Sequence, residues 1–142
     1  MNRLRLKVLA YAAVACMIAG GLSSCATGRI NIPADLSPAE IIQRAQEASD
    51  RNRYNVALQY YETLLERNSH DLVLVCAAEY EIAFIYYKQR KYPLSREKFN
   101  ALLDRYDEPD GESLPQQFRI LTTIVLGQID EKESVRRPFS RR

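Results

Sequence analysis

The sequence predicts an all-α fold, a short array of helical hairpins with about five helices that follows a cleaved N-terminal signal. Apolar residues after residue 37 recur at spacings of three and four, which is the helical period. No stretch shows the alternation of a half-buried strand. One helix pair recurs further along the chain. We therefore predict a signal at 1–24, a linker at 25–36, a helical domain at 37–133 and a disordered basic tail at 134–142.

The N-terminal segment has the pattern of an export signal. A short basic start, with Arg3 and Lys7, precedes an uncharged run from residue 8 to residue 22. This run is short for a membrane-spanning helix. It ends in Leu22-Ser23-Ser24-Cys25, which resembles the lipobox of bacterial lipoproteins. That resemblance implies cleavage before Cys25 and a lipid anchor of the palmitate type on its sulfur. An ordinary signal with a chance cysteine is the alternative.

Composition excludes some functions and leaves little room for disulfides. The formal net charge is +2, but part of the basic excess lies in the signal. The remaining surface is near-neutral and mixed, which gives no electrostatic case for nucleic acid. The basic ending is better explained as a solvated tail than as a contact with anionic lipid. With Cys16 removed and Cys25 acylated, Cys76 is left without a partner cysteine, and its apolar surroundings predict a buried structural thiol.

The first hairpin follows a linker. Residues 26–36 show little periodicity and reach roughly 36 Å when extended, so the domain can stand off a membrane or lie against it. Ser37-Pro38-Ala39-Glu40 predicts a capped helix start, with Ser37 as cap and Glu40 closing the capping box. This helix should run to about Asn52, and a second from about Tyr54 to Arg67.

Three further helices are predicted. The third spans about Leu72 to Arg90, and Pro93 opens a fourth that ends near Tyr106. Ser113 and Gln116 repeat the capping-box spacing, so the fifth helix should span about 114–132.

The two helix pairs superpose at a period of 38 residues, with small residues, aromatics and leucines at matching positions. The pairs are Ala45 with Ala83, Tyr54 with Tyr92, Ala57 with Ser95, Tyr61 with Phe99, and Leu64 with Leu102. Small residues let two helices approach closely, and aromatics fill the space beyond. These positions, over residues 37–106, resemble the tetratricopeptide family of helical-hairpin repeats. Asn52 and Arg90 stand where that family usually has a corner glycine.

The combination of lipobox and repeats resembles the BamD-type lipoproteins of the outer-membrane β-barrel assembly machinery, and also the lipoproteins that assist pilus secretins. The resemblance implies a lipid-anchored scaffold for envelope proteins on the periplasmic face of the outer membrane. An accessory lipoprotein of a secretion, pilus or cell-wall enzyme complex is the alternative.

The residues indicate no catalytic or cofactor chemistry. His70 is the one histidine, and its position beside Asp71 in a predicted turn favours a surface role. No Cys/His cluster has metal-ligand spacing, and the glycines form no phosphate loop. We therefore expect a non-enzymatic protein without metal or cofactor.

An aromatic stripe on the third helix is the candidate partner site. Tyr80, Phe84, Tyr87 and Lys88 share one helical face. The repeat resemblance implies that they line a concave partner groove. Their equivalents in the first unit are Ile42, Gln46, Ser49 and Asp50. The alternative is that the stripe is core, packed against the fifth helix, and both hold if the groove is only partly covered.

The fifth helix carries apolar residues nearly all round. They are Phe118, Ile120, Leu121, Ile124, Val125, Leu126 and Ile129. A helix of this kind should be covered on more than one side. A partner protein or self-association would cover it, and so would the fourth helix together with the tail.

Overall fold

The protein is described here by a computed structural model covering residues 28–136. These residues form five α-helices and no strand, so the predicted all-α array of hairpins is confirmed. The helices are α1 (Pro38–Asp50), α2 (Tyr54–Arg67), α3 (Leu72–Lys88), α4 (Tyr92–Tyr106) and α5 (Gln116–Arg136), with a 3-10 turn at Gly111–Ser113. The predicted signal 1–24, Cys25 and residues 137–142 lie outside the described residues.

Each of the first two hairpins turns through one residue in the left-handed backbone region. Asn52 has φ 57° and Arg90 has φ 60°, where a Cβ is unfavourable and glycine is the usual choice. In both corners an amide then closes the turn: Arg53 donates to the Ala48 carbonyl at 2.8 Å, and Lys91 donates to the Tyr86 carbonyl at 3.0 Å. The two corners therefore have the same geometry without glycine.

The helix starts agree only in part with the expected caps. The Ser37–Glu40 capping box on α1 is confirmed, with both of its hydrogen bonds present. The capping box expected at Ser113 and Gln116 is wrong. Ser113 Oγ instead donates to the Asp110 carbonyl at 2.6 Å, and Gln116 Nε2 donates to the Leu114 carbonyl at 3.0 Å. The 3-10 turn occupies the predicted cap position, so α5 begins at Gln116.

The predicted helix ends differ from the observed ones by a few residues at the corners and at α5. The helices α1 and α3 end at Asp50 and Lys88, because the left-handed corner residues interrupt the helical backbone. The last helix continues to Arg136. Residues 134–136, which we expected in the disordered tail, are therefore helical.

Two hydrophobic clusters fill the array, and small residues mark the crossing of each hairpin. The first cluster lies among α1, α2 and α3, and the second among α3, α4 and α5. Ala45 and Ala57 in the first hairpin, and Ala83 and Ser95 in the second, have no exposed surface. Ser95 Oγ also donates to the Ala83 carbonyl at 2.9 Å. The small residues thus lie where the paired helices are closest, as their spacing predicted.

Substituting Ala83 by leucine should destabilise the fold by about 1–3 kcal/mol, because the added methyl groups have no space at the α3–α4 crossing. Chemical denaturation followed by circular dichroism measures this change. Ala101→Leu is the matched control, because Ala101 is exposed on α4, and it should leave stability nearly unchanged. Equal midpoints for both variants would contradict the proposed crossing.

Candidate functional site

The predicted groove residue Tyr80 belongs to the core, so its assignment to the groove was wrong. Its side chain is 9% exposed. Its ring centroid lies 5.6 Å from that of Phe99 on α4 and 5.8 Å from that of Phe118 on α5. The physical reason is that α5 packs over this part of α3, so Tyr80 is enclosed by aromatic rings from two neighbouring helices.

Phe84 and Tyr87 are half-buried and lie between core and surface. Their rings are stacked, with centroids 5.6 Å apart, and both pack against the second hydrophobic cluster. The Tyr87 hydroxyl donates to Gln128 Oε1 on α5 at 2.9 Å. The expected packing of the stripe therefore holds in part for these two residues, and their role in a partner groove stays a prediction.

Lys88 joins the two hairpins at the same place. Its side chain is exposed, and Nζ donates to the Oγ of Ser49 on α1 at 3.0 Å. Nζ also lies 5.6 Å from the Phe84 ring centroid, within the range of a cation–π interaction. Among the other predicted residues, Ile42 is half-buried in the first cluster and Gln46 is exposed.

These contacts define the candidate groove between α1 and α3. In this candidate groove the half-buried Ile42, Phe84 and Tyr87 would provide the floor, and the exposed Gln46 and Lys88 would provide the rim. A floor of this kind gives a partner apolar and aromatic surface to bury, and the rim gives it polar contacts.

Sequence reasoning did not single out Glu81, an acidic residue whose charge interacts with that of Lys88 at the rim. Glu81 on α3 is half-buried. Burial raises the pKa of its carboxyl group, while the charge of Lys88 lowers that pKa and the charge of Asp50 raises it. Nearby, the Tyr61 hydroxyl is buried and has no hydrogen-bond partner among the described residues. Burial, together with the charges of Glu81 and Asp50, raises the Tyr61 pKa.

The sequence of α3 contained a feature that could have singled out Glu81. Its 17 residues include only two acids, Glu79 and Glu81. Glu79 is paired, because Arg105 on α4 donates two hydrogen bonds of 2.7 Å to its carboxylate. Glu81 has no such ion pair within the described part of the chain. Burial of a carboxylate that forms no ion pair weakens the fold, and the charge of Lys88 offsets only part of this cost because the pKa of Glu81 is still raised.

Cys76 and His70, the other residues considered from the sequence, have no catalytic or metal-binding arrangement around them among the described residues. Cys76 is buried at 1% exposure, as expected of a structural thiol, and burial raises its pKa. His70 is exposed in the turn between α2 and α3. Within residues 28–136 no group of His, Cys, Asp or Glu side chains is placed to hold a metal ion. In the same residues no helix is long and apolar enough to cross a membrane.

One face of α5 is left uncovered in the described part of the chain. Val125 and Ile129 are buried against α3 and α4, whereas Ile120 is 61%, Leu121 41% and Ile124 53% exposed. Within these residues α3 and α4 cover part of α5, and covering of its exposed side by a partner or a second copy stays a prediction. The α5 face is a second candidate surface.

Comparison with known proteins gives one distant relative and no function. No protein-family model matches the chain, and no solved structure matches it. Over 99 residues the chain is 30% identical to an uncharacterized protein from Treponema pallidum (strain Nichols). The aligned segment is 70% of this chain and 40% of the relative, so the chain spans less than half of that protein's length.

Replacing Glu81 by glutamine should raise the melting midpoint at neutral pH. The folded-state pKa of Glu81 is raised above its ordinary value. The ionised carboxylate therefore destabilises the fold above that pKa, and the penalty is relieved as the pH falls through it. The gain of Glu81→Gln over the wild type should shrink when thermal melts are repeated towards pH 4.5.

Glu66→Gln is the control for this series, because it removes an exposed carboxylate from α2. It should not reproduce the pH-dependent gain. A gain for Glu81→Gln that stays constant across the pH range would contradict the proposed burial penalty.

Proposed function

We propose that this protein is a lipid-anchored scaffold of the bacterial cell envelope that binds other envelope proteins, and that outer-membrane protein assembly is the process it serves. The single observation that carries the proposal is the groove between α1 and α3. Its half-buried Phe84 and Tyr87 leave aromatic surface accessible beside the bridge from Lys88 to Ser49.

The chemistry of this groove supports a protein partner over a small substrate. Aromatic residues in a partly enclosed groove are the usual anchors of protein interfaces. A helix or an extended segment can bury its apolar side chains on the floor and make polar contacts with Gln46 and Lys88 at the rim. No catalytic arrangement accompanies these residues in the described part of the chain, so the groove is suited to binding.

The anchor is supported by the lipobox-like sequence ending at Cys25. Gly28 lies against α2, where its carbonyl accepts a hydrogen bond from Gln59 Nε2 at 3.4 Å. An acylated Cys25 would therefore be attached close to the first hairpin. Two or more acyl chains hold a protein stably at a membrane, whereas a single chain holds it only marginally.

Phe84→Ala should weaken partner binding by about 2 kcal/mol, the scale of an interface anchor. Affinity capture from crosslinked envelopes, followed by mass spectrometry, would identify the partner, and titration of the purified pair would measure binding. Because Phe84 also packs on the core, we expect a lower melting midpoint as well. Measurements should be made well below that midpoint.

Tyr86→Ala is the matched control for Phe84→Ala. Tyr86 is also a half-buried aromatic on α3, but it packs against the first cluster and lines a different cleft with Leu65 and Ile82. It should lower the melting midpoint without weakening partner binding. Equal loss of binding in both variants would place the partner site elsewhere, with the α5 face as the next surface to test.

Cys25→Ala should release the protein from the membrane fraction, because the acylated sulfur is lost. Fractionation of envelopes and mass spectrometry of the mature N-terminus measure this directly. Cys76→Ala is the control, since Cys76 is a buried thiol and its loss should leave membrane association unchanged. An unmodified Cys25 in membrane-extracted protein would contradict the proposed anchor.

A further inference from the structure

The hairpin array has two edges, because its helices alternate in direction. We define the corner edge as residues 50–53, residues 88–91 and the C-terminal end of α5 at 130–136. Contacts show that these parts adjoin. Lys88 Nζ donates to Ser49 Oγ at 3.0 Å, and Lys132 Nζ lies 5.9 Å from the Tyr87 ring centroid. We define the loop edge, at the opposite end of the helices, as residues 68–71 and 107–115.

The two edges differ in charge. The two corners carry exposed cations at Arg51, Arg53, Lys88, Arg90 and Lys91. The acidic residues beside them are Asp50 and Glu47, and Glu47 forms an exposed ion pair with Arg51 at 4.0 Å. The loop edge carries exposed acids instead, at Asp71, Asp107, Glu108, Asp110 and Glu112. The charge is therefore separated along the helix direction, although the chain as a whole has a formal net charge of only +2.

The acids at the C-terminal end of α5 do not cancel this polarity. Arg96 on α4 donates to the carboxylates of Asp130 at 2.7 Å and Glu133 at 3.0 Å. Hydrogen bonds to these two acids raise the pKa of Arg96, against the opposing effect of burial. Of the acids in this turn, Glu131 lacks such a bridge, and it lies next to Lys132.

The start of the described chain approaches the corner edge. Arg67, near the end of α2, donates to the carbonyls of Pro33 at 2.9 Å and Ile32 at 3.2 Å. The Ile30 amide donates to Gln59 Oε1, one to two turns from the start of α2, at 2.8 Å. The linker therefore lies along α2, and followed backwards it leads to the corner edge.

Further cations surround the point where the linker reaches this edge. Ile30 lines a cleft of about 170 Å³ together with Arg44, Arg51 and Arg53, and Glu47 is the acidic residue in the lining of this cleft. Arg29 is exposed beside it. The end of the chain that leads to Cys25 thus emerges among arginines.

We propose that the corner edge docks on an anionic lipid surface and holds the domain with α1–α5 upright on the membrane. This inference rests on the proposed lipid anchor, because the three Cα–Cα steps from Cys25 to Gly28 allow a separation of at most about 11 Å. That reach holds Gly28 within one to two Debye lengths of the headgroups at physiological ionic strength, and the linker leads from there to the corner edge. The loop edge, with its acids, then faces away from the lipid.

The expected strength follows from the number of cations near the surface. Each Lys or Arg close to an anionic membrane shifts the ratio of docked to undocked domain by about fivefold at low ionic strength. Removing two cations should therefore lower this ratio by about 25-fold. The effect is screened by salt, whereas attachment through acyl chains is not.

Depth-dependent quenching tests the orientation. The full chain, purified as the cell produces it, is labelled with a fluorophore at Asn55→Cys near the corner edge or at Ser69→Cys on the loop edge; both positions are exposed. Vesicles contain a headgroup-attached nitroxide lipid in phosphatidylcholine, with or without phosphatidylglycerol. We expect strong quenching at position 55 only, with phosphatidylglycerol present, and its loss in high salt.

Charge variants distinguish docking by the corner edge from a general electrostatic attraction of the whole domain to anionic lipid. Arg51→Gln with Arg90→Gln should abolish the composition-dependent quenching. Lys98→Gln with Arg119→Gln removes the same charge from exposed positions away from the corners and should preserve it. Equal quenching at positions 55 and 69, no dependence on phosphatidylglycerol, or equal loss in both double variants would overturn the proposal.

Failure of the anchor gives a different result from failure of the docking edge. If Cys25 is unmodified but quenching at position 55 still requires phosphatidylglycerol and the corner arginines, the docking edge is supported and the anchor is wrong. If Cys25 is acylated and quenching ignores lipid charge, the anchor is supported and the docking edge is overturned.

Discussion

The close approach of paired helices at small residues is the constraint on which the rest of this structure depends. Ala45 with Ala57, and Ala83 with Ser95, are fully buried at the two crossings. Because no larger side chain lies between them, the two helices of each hairpin lie close together. The aromatic side chains beside each crossing therefore pack away from the crossing. In the second hairpin they pack into the space that α5 covers. The hydrogen bond from Ser95 to the Ala83 carbonyl ties this crossing further, because it satisfies a hydroxyl that would otherwise be buried without a partner.

Local sequence signals predicted the two hairpins, but they did not predict the position of α5. The bounds of α2 and the capping box at Ser37 follow from spacing within a few residues. The path of the chain between α4 and α5 does not follow from residue spacing. Gly111 lies against the Tyr106 backbone with no space for a side chain, and the Tyr106 hydroxyl donates to the Pro115 carbonyl at 2.8 Å. These contacts direct α5 across α3, and periodicity contains no information about them. Spacing therefore left open whether Tyr80 lies in the groove or packs against the fifth helix, and the structure shows that it packs there.

In the candidate groove too, the sequence predicted which residues share a helical face but not which residues meet from different helices. Helical spacing placed Phe84, Tyr87 and Lys88 on one face of α3. It could not show that Lys88 would reach Ser49, 39 residues earlier in the chain. Nor could it show that Glu81 would face the charge of Asp50 from another helix. Both contacts join the first hairpin to the second, so they report how the hairpins stack. The candidate groove depends on how the two hairpins stack, so its polar contacts can be identified only from the three-dimensional structure.

The separation of charge along the helices connects the anchor with the two candidate partner surfaces. A domain that rests on lipid by its corner edge keeps Ile120, Leu121 and Ile124 of α5 away from the membrane, whereas the exposed Val135 lies on the corner edge itself. Ile124 lies twelve residues before the end of α5 at Arg136, which corresponds to about 18 Å along the helix. The groove lies between α1 and α3, so docking by the helix ends leaves it accessible from the side except at Lys88, which belongs to both the rim and the corner edge. An upright arrangement therefore leaves the α5 face and most of the groove free for protein partners, whereas a domain lying flat on α1, α3 or α5 would bury one of them in the headgroups.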